Sequence, residues 1–169
     1  VTASIAERDP RDPDRWIPDM ARRVTANEAR TVYIVHLREG LRWRLPKPLA
    51  DASGTLGWLE DGRELSAEDF VFTVRMFKDP KVEGGGAKSY YEAVESVEAV
   101  DPHTLRVEWK RPVHHSGYTT LGLYPMPKWL YTRRRNGDKI PEDKWGEAFN
   151  DHWANQWPIG PGPYRVVEY

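Results

Sequence analysis

The residues of this chain that could do chemistry are two adjacent histidines, several acidic pairs, one well-placed serine and a group of tyrosines and threonines. His114 and His115 are the first to weigh as metal ligands. Neighbouring side chains on an extended chain point to opposite faces, so the two are poorly placed to share one ion. His36 and His103 are far off in sequence, and there is no His-Glu-x-x-His helix and no tight acidic calcium loop. No metal site and no cofactor are expected. Acids are plentiful, so counting alone leaves a carboxylate-pair hydrolase open. Glu68 and Asp69 are accounted for by a helix start, and Glu95 and Glu98 fall on or near a solvated strand face. Ser66 reads as a helix cap, with no Gly-x-Ser-x-Gly elbow anywhere. Gly84-Gly85-Gly86 lacks the Lys-Ser/Thr of a phosphate loop. The absence of cysteine excludes disulfides, thiol catalysis and Cys-ligated zinc. No catalytic residue is assigned.

The residues suited to binding are different. Tyr90 and Tyr91 follow the glycine run, and each offers an aromatic wall with a hydrogen-bonding tip; the alternative is simple edge packing on a hairpin. Thr119, Thr120 and Tyr124 precede Pro125-Met126-Pro127, where a proline-ordered loop either contacts a ligand or only positions the next helix. Eight tryptophans raise the separate idea of a carbohydrate-binding module that stacks sugars on rings. Trp109 falls on a buried strand face and Trp129 and Trp145 in helices, so most are expected in the core, with Trp58 the exposed exception.

The elements that position these residues can be read from periodicity. Residues 1–15 begin as a mixed run and pass into the turn-rich Asp9-Pro10-Arg11-Asp12-Pro13-Asp14; Trp16 to Ala21 is an apolar patch broken by Pro18. Val32 to Leu37 reads as a central strand, apolar on both faces, which Leu41-Arg42-Trp43 resumes after Gly40. Residues 44–60 read as a surface insertion rich in Pro and Gly. A helix starts at Ser66, with Phe70, Val74 and Phe77 on its core face, and stops at Asp79-Pro80. Gly84 to Gly86 is a hinge or loop. Val97 to Val100 and Leu105 to Trp109 form a hairpin about Asp101-Pro102-His103, with Leu105, Val107 and Trp109 facing inward. Short helices follow from Pro127 to about Arg135 and from Pro141 to Phe149, and Arg133-Arg134-Arg135 offsets the dipole of the first. Gly160-Pro161-Gly162-Pro163 turns into a last strand, 164–169. Separate hairpins and helices, rather than βαβ units, give an α+β fold with a mixed or antiparallel sheet and peripheral helices.

The totals bound the function classes. The 169 residues suit one domain, taken as 1–169. Twenty-five basic against 26 acidic residues argue against a nucleic-acid partner. No stretch approaches the roughly 18 apolar residues of a membrane span. The chain opens at Val1 without a leader and ends at Tyr169 on a strand-like run, so both ends read as cuts within a longer polypeptide.

The order of motifs carries more. "WIPDMARRV", "YIVHLREGLRW", "DGRELSAEDFVFTVRMFKDP", "YYEAVESVEAVDPHTLRVEWKRP", "YPMPKWLY" and "GPGPYRVVEY" together resemble extracellular solute-binding protein family 5 of ABC importers, from about Asp14 to Tyr169. No single motif is specific; six in family order are. Arg44 to Glu60 departs from the family pattern, in which the strand runs almost directly into Asp-Gly.

The resemblance implies a type II periplasmic-binding-protein fold, with this chain as the smaller subdomain of the first of two lobes. It implies a binding protein and not an enzyme, taking a peptide or similar small polar solute for delivery to a membrane permease. It implies a periplasmic or membrane-tethered extracytoplasmic location, a monomer, and a ligand wall drawn from Tyr90, Tyr91, Thr119, Thr120 and Tyr124. The opposing lobe would supply most ligand contacts, so this piece alone should bind weakly. An extracellular carbohydrate-binding or interaction module is the second reading and a carboxylate-pair hydrolase the third.

Overall fold

The computed structural model describes residues 3–162, 166 and 167, apart from the side chains of Pro13 and Asp14. Six strands form, β1 (Ala6–Asp9), β2 (Asp12–Pro18), β3 (Ala21–Ala26), β4 (Val32–Leu37), β5 (Val94–Asp101) and β6 (Thr104–Trp109). Five short or medium helices accompany them, α1 (Lys47–Ala50), α2 (Ala67–Lys78), α3 (Ser116–Leu121), α4 (Lys128–Tyr131) and α5 (Trp145–Asn150), with tighter turns at Gly54–Leu56, Gly85–Tyr91, Glu142–Lys144 and Trp153–Gln156. The fold is α+β, as the pattern of elements required.

An antiparallel sheet in the order β3-β4-β6-β5 is the frame. Strand β4 is central, with Tyr33 opposite Val107 and Val35 opposite Leu105 on one side and Val24 opposite Val35 on the other. Because side chains alternate along a strand, this register puts Tyr33, Val35, Leu37, Leu105, Val107 and Trp109 on one face, and all six are buried. The hairpin starts three residues before the expected Val97, because β5 begins at Val94. Helix α2 lies on the buried face and adds Phe70 and Val74. Truncating a fully buried phenylalanine such as Phe70 costs about 3–5 kcal/mol. The other side of α2 presents Phe72 and Met76 to a smaller cluster containing Val82, Tyr131, Trp145 and Phe149. One helix therefore serves two cores.

Ser66 and Asp69 form a capping box at the start of α2, and Asp79 ends it in extended conformation ahead of Pro80. Asp69 is itself buried. Its Oδ2 accepts the Ser66 amide at 3.0 Å and the Trp43 indole N–H at 3.1 Å, and its Oδ1 accepts the Lys128 amide at 2.9 Å. Burial pushes its pKa up while these three donors pull it down.

Several expectations are corrected. The first 26 residues contain three strands. β1 and β2 pair only with each other in a narrow ribbon, and β3 is a sheet edge with exposed Arg22 and Arg23, so neither shows clean apolar alternation. Leu41 to Trp43 does not resume β4; Arg42 bridges to Glu64 and Arg44 to Gly160. Residues 85 and 86 open a helical turn, across which Lys88 donates to the Asp79 and Val82 carbonyls. Helix α4 ends at Tyr131, and Arg133 pairs with Lys139 across a turn instead of closing a helix. His114 and His115 lie in a turn and not on an extended chain. Trp58 is half-buried, edge-on to Trp129 and Trp153, with its indole N–H on the Arg135 carbonyl at 3.0 Å. Only Trp43 and Trp109 are fully buried; the other six tryptophans are half-buried. Most of the expected last strand, 164–169, lies outside the described residues, and 166 and 167 are irregular.

Candidate ligand-binding groove

Three elements meet beside the C-terminal half of α2. Helix α2 contributes Phe77, the Gly85–Tyr91 turn contributes Tyr90 and Tyr91, and the segment through α3 contributes His115, Tyr118, Thr119 and then Tyr124. They line an open, mostly apolar groove of about 290 Å³. Tyr91 stacks on Phe77 with ring centroids 4.8 Å apart and planes 8° apart, and Tyr124 meets the same Phe77 edge-on at 6.1 Å. Tyr90 stands over His115 edge-on at 5.7 Å. The two adjacent tyrosines divide the work: Tyr91 is 8% exposed and Tyr90 is 54% exposed.

Helix α3 is held rigidly. The Ser116 hydroxyl donates to the Arg30 carbonyl at 3.2 Å, which leaves its oxygen to accept the Tyr33 hydroxyl at 2.9 Å. On the same helix Tyr118 is capped by the Arg8 guanidinium, 4.3 Å from its ring centroid, and meets Trp16 edge-on at 5.6 Å. The β1–β2 ribbon thus ends against the groove rim.

The polar equipment is sparse and unused. Among the described residues, the hydroxyls of Tyr90, Tyr91, Thr119 and Tyr124 make no hydrogen bond, and the buried His115 Nε2 has no partner. Burial, and secondarily the neighbouring Tyr124, pushes the Tyr91 phenol up to about 12; burial also raises Tyr124. Both phenols stay protonated at neutral pH and can donate. An apolar groove with a few convergent hydroxyls suits recognition of a small polar molecule.

Four of the five expected residues, Tyr90, Tyr91, Thr119 and Tyr124, come together here. Thr120 points the other way: it is buried, and its hydroxyl accepts the Trp109 indole N–H at 3.1 Å. Five further residues line the groove that the sequence did not single out for it, Phe77, Ala87, His115, Tyr118 and Gly122. Phe77 reads as core, His115 as half of a poor metal pair, and Tyr118 carries no signal in the sequence. The available signal was helical spacing, since His115, Tyr118, Thr119 and Gly122 fall at i, i+3, i+4 and i+7.

The acids considered for catalysis are paired, saturated by donors or solvent-exposed. Glu68 pairs with Lys128 at 2.6 Å, Asp69 is saturated by three donors, and Glu95 and Glu98 are exposed on β5. No cluster of three or more His, Asp or Glu suited to a metal occurs among the described residues.

The sequence model of the bacterial extracellular solute-binding proteins, family 5 middle region, matches residues 15–169. No curated protein sequence matches the chain. Among solved structures, the chain superimposes on NikZ from Campylobacter jejuni in complex with Ni(L-His) with a TM-score of 0.68 at 23% identity. The oligopeptide-binding protein AppA from Bacillus subtilis, in complex with a nonapeptide, gives 0.69 at 20%. The mannohexaose-bound periplasmic oligopeptide-binding protein from Thermotoga maritima gives 0.66 at 25%. Each match covers 100% of this chain, which spans 28%, 28% and 26% of those three proteins.

Proposed function

We propose that this chain, which belongs to the family 5 bacterial extracellular solute-binding proteins, supplies one wall of a ligand cleft in a protein that captures a peptide or similar small polar solute for an ABC importer. Its family is one of binding proteins, not of enzymes. The observation that carries the reading is the groove itself. Tyr90, Tyr91, Thr119 and Tyr124 present unengaged hydroxyls from a rigid aromatic wall, open on one side.

The mechanism follows from that openness. A ligand lying against one wall keeps half its surface in water and binds weakly. Binding strengthens when a second lobe closes over the other half, because only the closed state contacts the ligand from both sides. The wall must be stiff for closure to be selective, and Ser116, Tyr33 and Arg8 hold α3 in that way. A periplasmic or tethered extracytoplasmic location, a permease partner, a monomeric working form and the surface-insertion reading of 44–60 belong to the same proposal.

The test uses the full-length protein. Its co-purified ligand is identified by native mass spectrometry, and affinity is compared between wild type and Tyr90→Ala. Tyr90 is exposed, so its truncation should weaken binding about tenfold without moving the unfolding midpoint. Unchanged affinity would remove Tyr90 from the site; a ligand seated elsewhere would remove the groove.

A further inference from the structure

A larger cavity, of about 680 Å³, opens on the other side of the molecule, between the start of α2, α4 and the turn that joins Arg133 to Lys139. Its lining includes four cations, Arg63, Lys128, Arg133 and Lys139, and three acids, Glu64, Glu68 and Asp69. The acids are committed elsewhere. Glu68 pairs with Lys128 at 2.6 Å, Glu64 pairs with His103 at 3.2 Å, and Asp69 is enclosed by its three N–H donors.

The remaining cations are poorly matched. Arg133 and Lys139 face each other across an isolated antiparallel bridge. Directly opposed side chains lie on the same face about 5 Å apart, and like charges there repel. Neither forms an ion pair with any described residue; the Arg133 guanidinium donates to the Gly137 carbonyl at 2.7 Å and lies 5.8 Å from the Trp58 ring centroid, contacts that leave its charge without a counter-ion. Arg63 leans over the Trp129 ring, 5.5 Å from its centroid, pairs with the exposed Glu60 at 3.2 Å and lies near enough to Asp69 to help hold that carboxyl's pKa down. The Trp129 indole N–H, in the same wall, is buried with no acceptor. A buried donor without a partner, beside cations that repel one another, marks a place where an acceptor is missing.

We propose that this cavity is a second ligand site, separate from the groove, that takes a phosphate dianion, with Arg63, Arg133 and Lys139 holding the oxygens. A phosphate monoester carries close to two charges at neutral pH and several strong acceptors, which matches a surplus of donors better than a single carboxylate does. The shared chemistry is the phosphomonoester, whether on a free solute or on a lipid.

Calorimetric titration of the chain with inorganic phosphate and with glucose 1-phosphate, and sedimentation with phosphatidylcholine vesicles containing phosphatidic acid, separate the sources. Saturable binding by any of the three supports the site, and the arm that saturates most tightly identifies the source. The double variant Arg133→Gln/Lys139→Gln should weaken that binding about tenfold or more. Arg63→Gln should weaken it as well. Arg11→Gln/Arg22→Gln, which removes the same net charge from the exposed ribbon and sheet edge, should leave it within about twofold. Near-ultraviolet circular dichroism checks that each variant is folded. Absence of saturation in all three arms, or equal losses in the two double variants, would overturn the proposal.

Discussion

The indole N–H of Trp43 donates to Asp69 Oδ2 at 3.1 Å across 26 residues of chain, and both residues are buried. The same carboxylate receives the amides of Ser66 and Lys128, so a single side chain ties the segment after β4 to the starts of α2 and α4. Asp69→Ala would leave three donors without an acceptor and should cost about 3 kcal/mol or more in urea unfolding. Asp69→Asn should recover only part of the loss, because its amide nitrogen cannot accept. A cost below about 0.5 kcal/mol for the alanine variant would show that water replaces the carboxylate.

His152 should make the domain sensitive to mild acid. Its Nδ1 accepts the Ala154 amide at 3.2 Å, so the proton of the neutral ring sits on Nε2 and is donated to the Arg133 carbonyl at 2.8 Å. Burial lowers its pKa below the ordinary 6.5, and the Arg133 carbonyl opposes this. Between that ordinary value and the depressed folded one, the unfolded chain binds the proton and the native state does not. Stability is therefore full above about 6.5 and declines as pH falls through this window. His152→Phe keeps the ring beside Tyr131 and Trp153 and should flatten that part of the stability–pH profile. An unchanged slope would refute the assignment.

Thr120 and Thr119 are neighbours with opposite duties. Thr120→Val keeps the shape but strands the Trp109 indole N–H, and should lose about 1–3 kcal/mol of stability with no direct effect on ligand affinity. Thr119→Val should do the reverse. Chemical unfolding and ligand titration of the two variants in the full-length protein would expose any exchange of roles.

Tyr91 should ionise only at high pH. Its hydroxyl is held at about 12, so an alkaline absorbance titration should contain a late phase that Tyr91→Phe removes. Tyr91→Ala, which empties the stack on Phe77, should cost about 3–5 kcal/mol. If the phase survives in Tyr91→Phe, the buried phenol is another.

Gly137 holds a turn that only glycine suits. Its φ is +89°, and a Cβ there would lie 2.9 Å from the Trp58 ring. Gly137→Ala should cost about 1–3 kcal/mol and should release Trp58 from the Arg135 carbonyl. Hydrogen exchange across 53–60 and 133–139 would report the release; unchanged protection in both segments would contradict it.

Local rules made much of this protein legible from its residues. The alternation of Leu105, Val107 and Trp109 admits one buried face, and Ser66 ahead of Glu68 and Asp69 admits one helix start. Those signals are strong because neighbours in the chain create them, and with the motif order they identified the family and the α+β fold. Tertiary structure decided the rest. β1 and β2 are strands because they pair with each other, not because their residues alternate. Whether Tyr90 or Tyr91 faces water, and which of two adjacent threonines reaches the groove, depends on how the turn and α3 seat against Phe77 and Trp109. Trp58, which looks free in a proline- and glycine-rich stretch, is enclosed by rings from residues 129 and 153. Contacts that span 70 or more residues leave no periodic trace, since each partner keeps its own local pattern and the match exists only once the chain has folded.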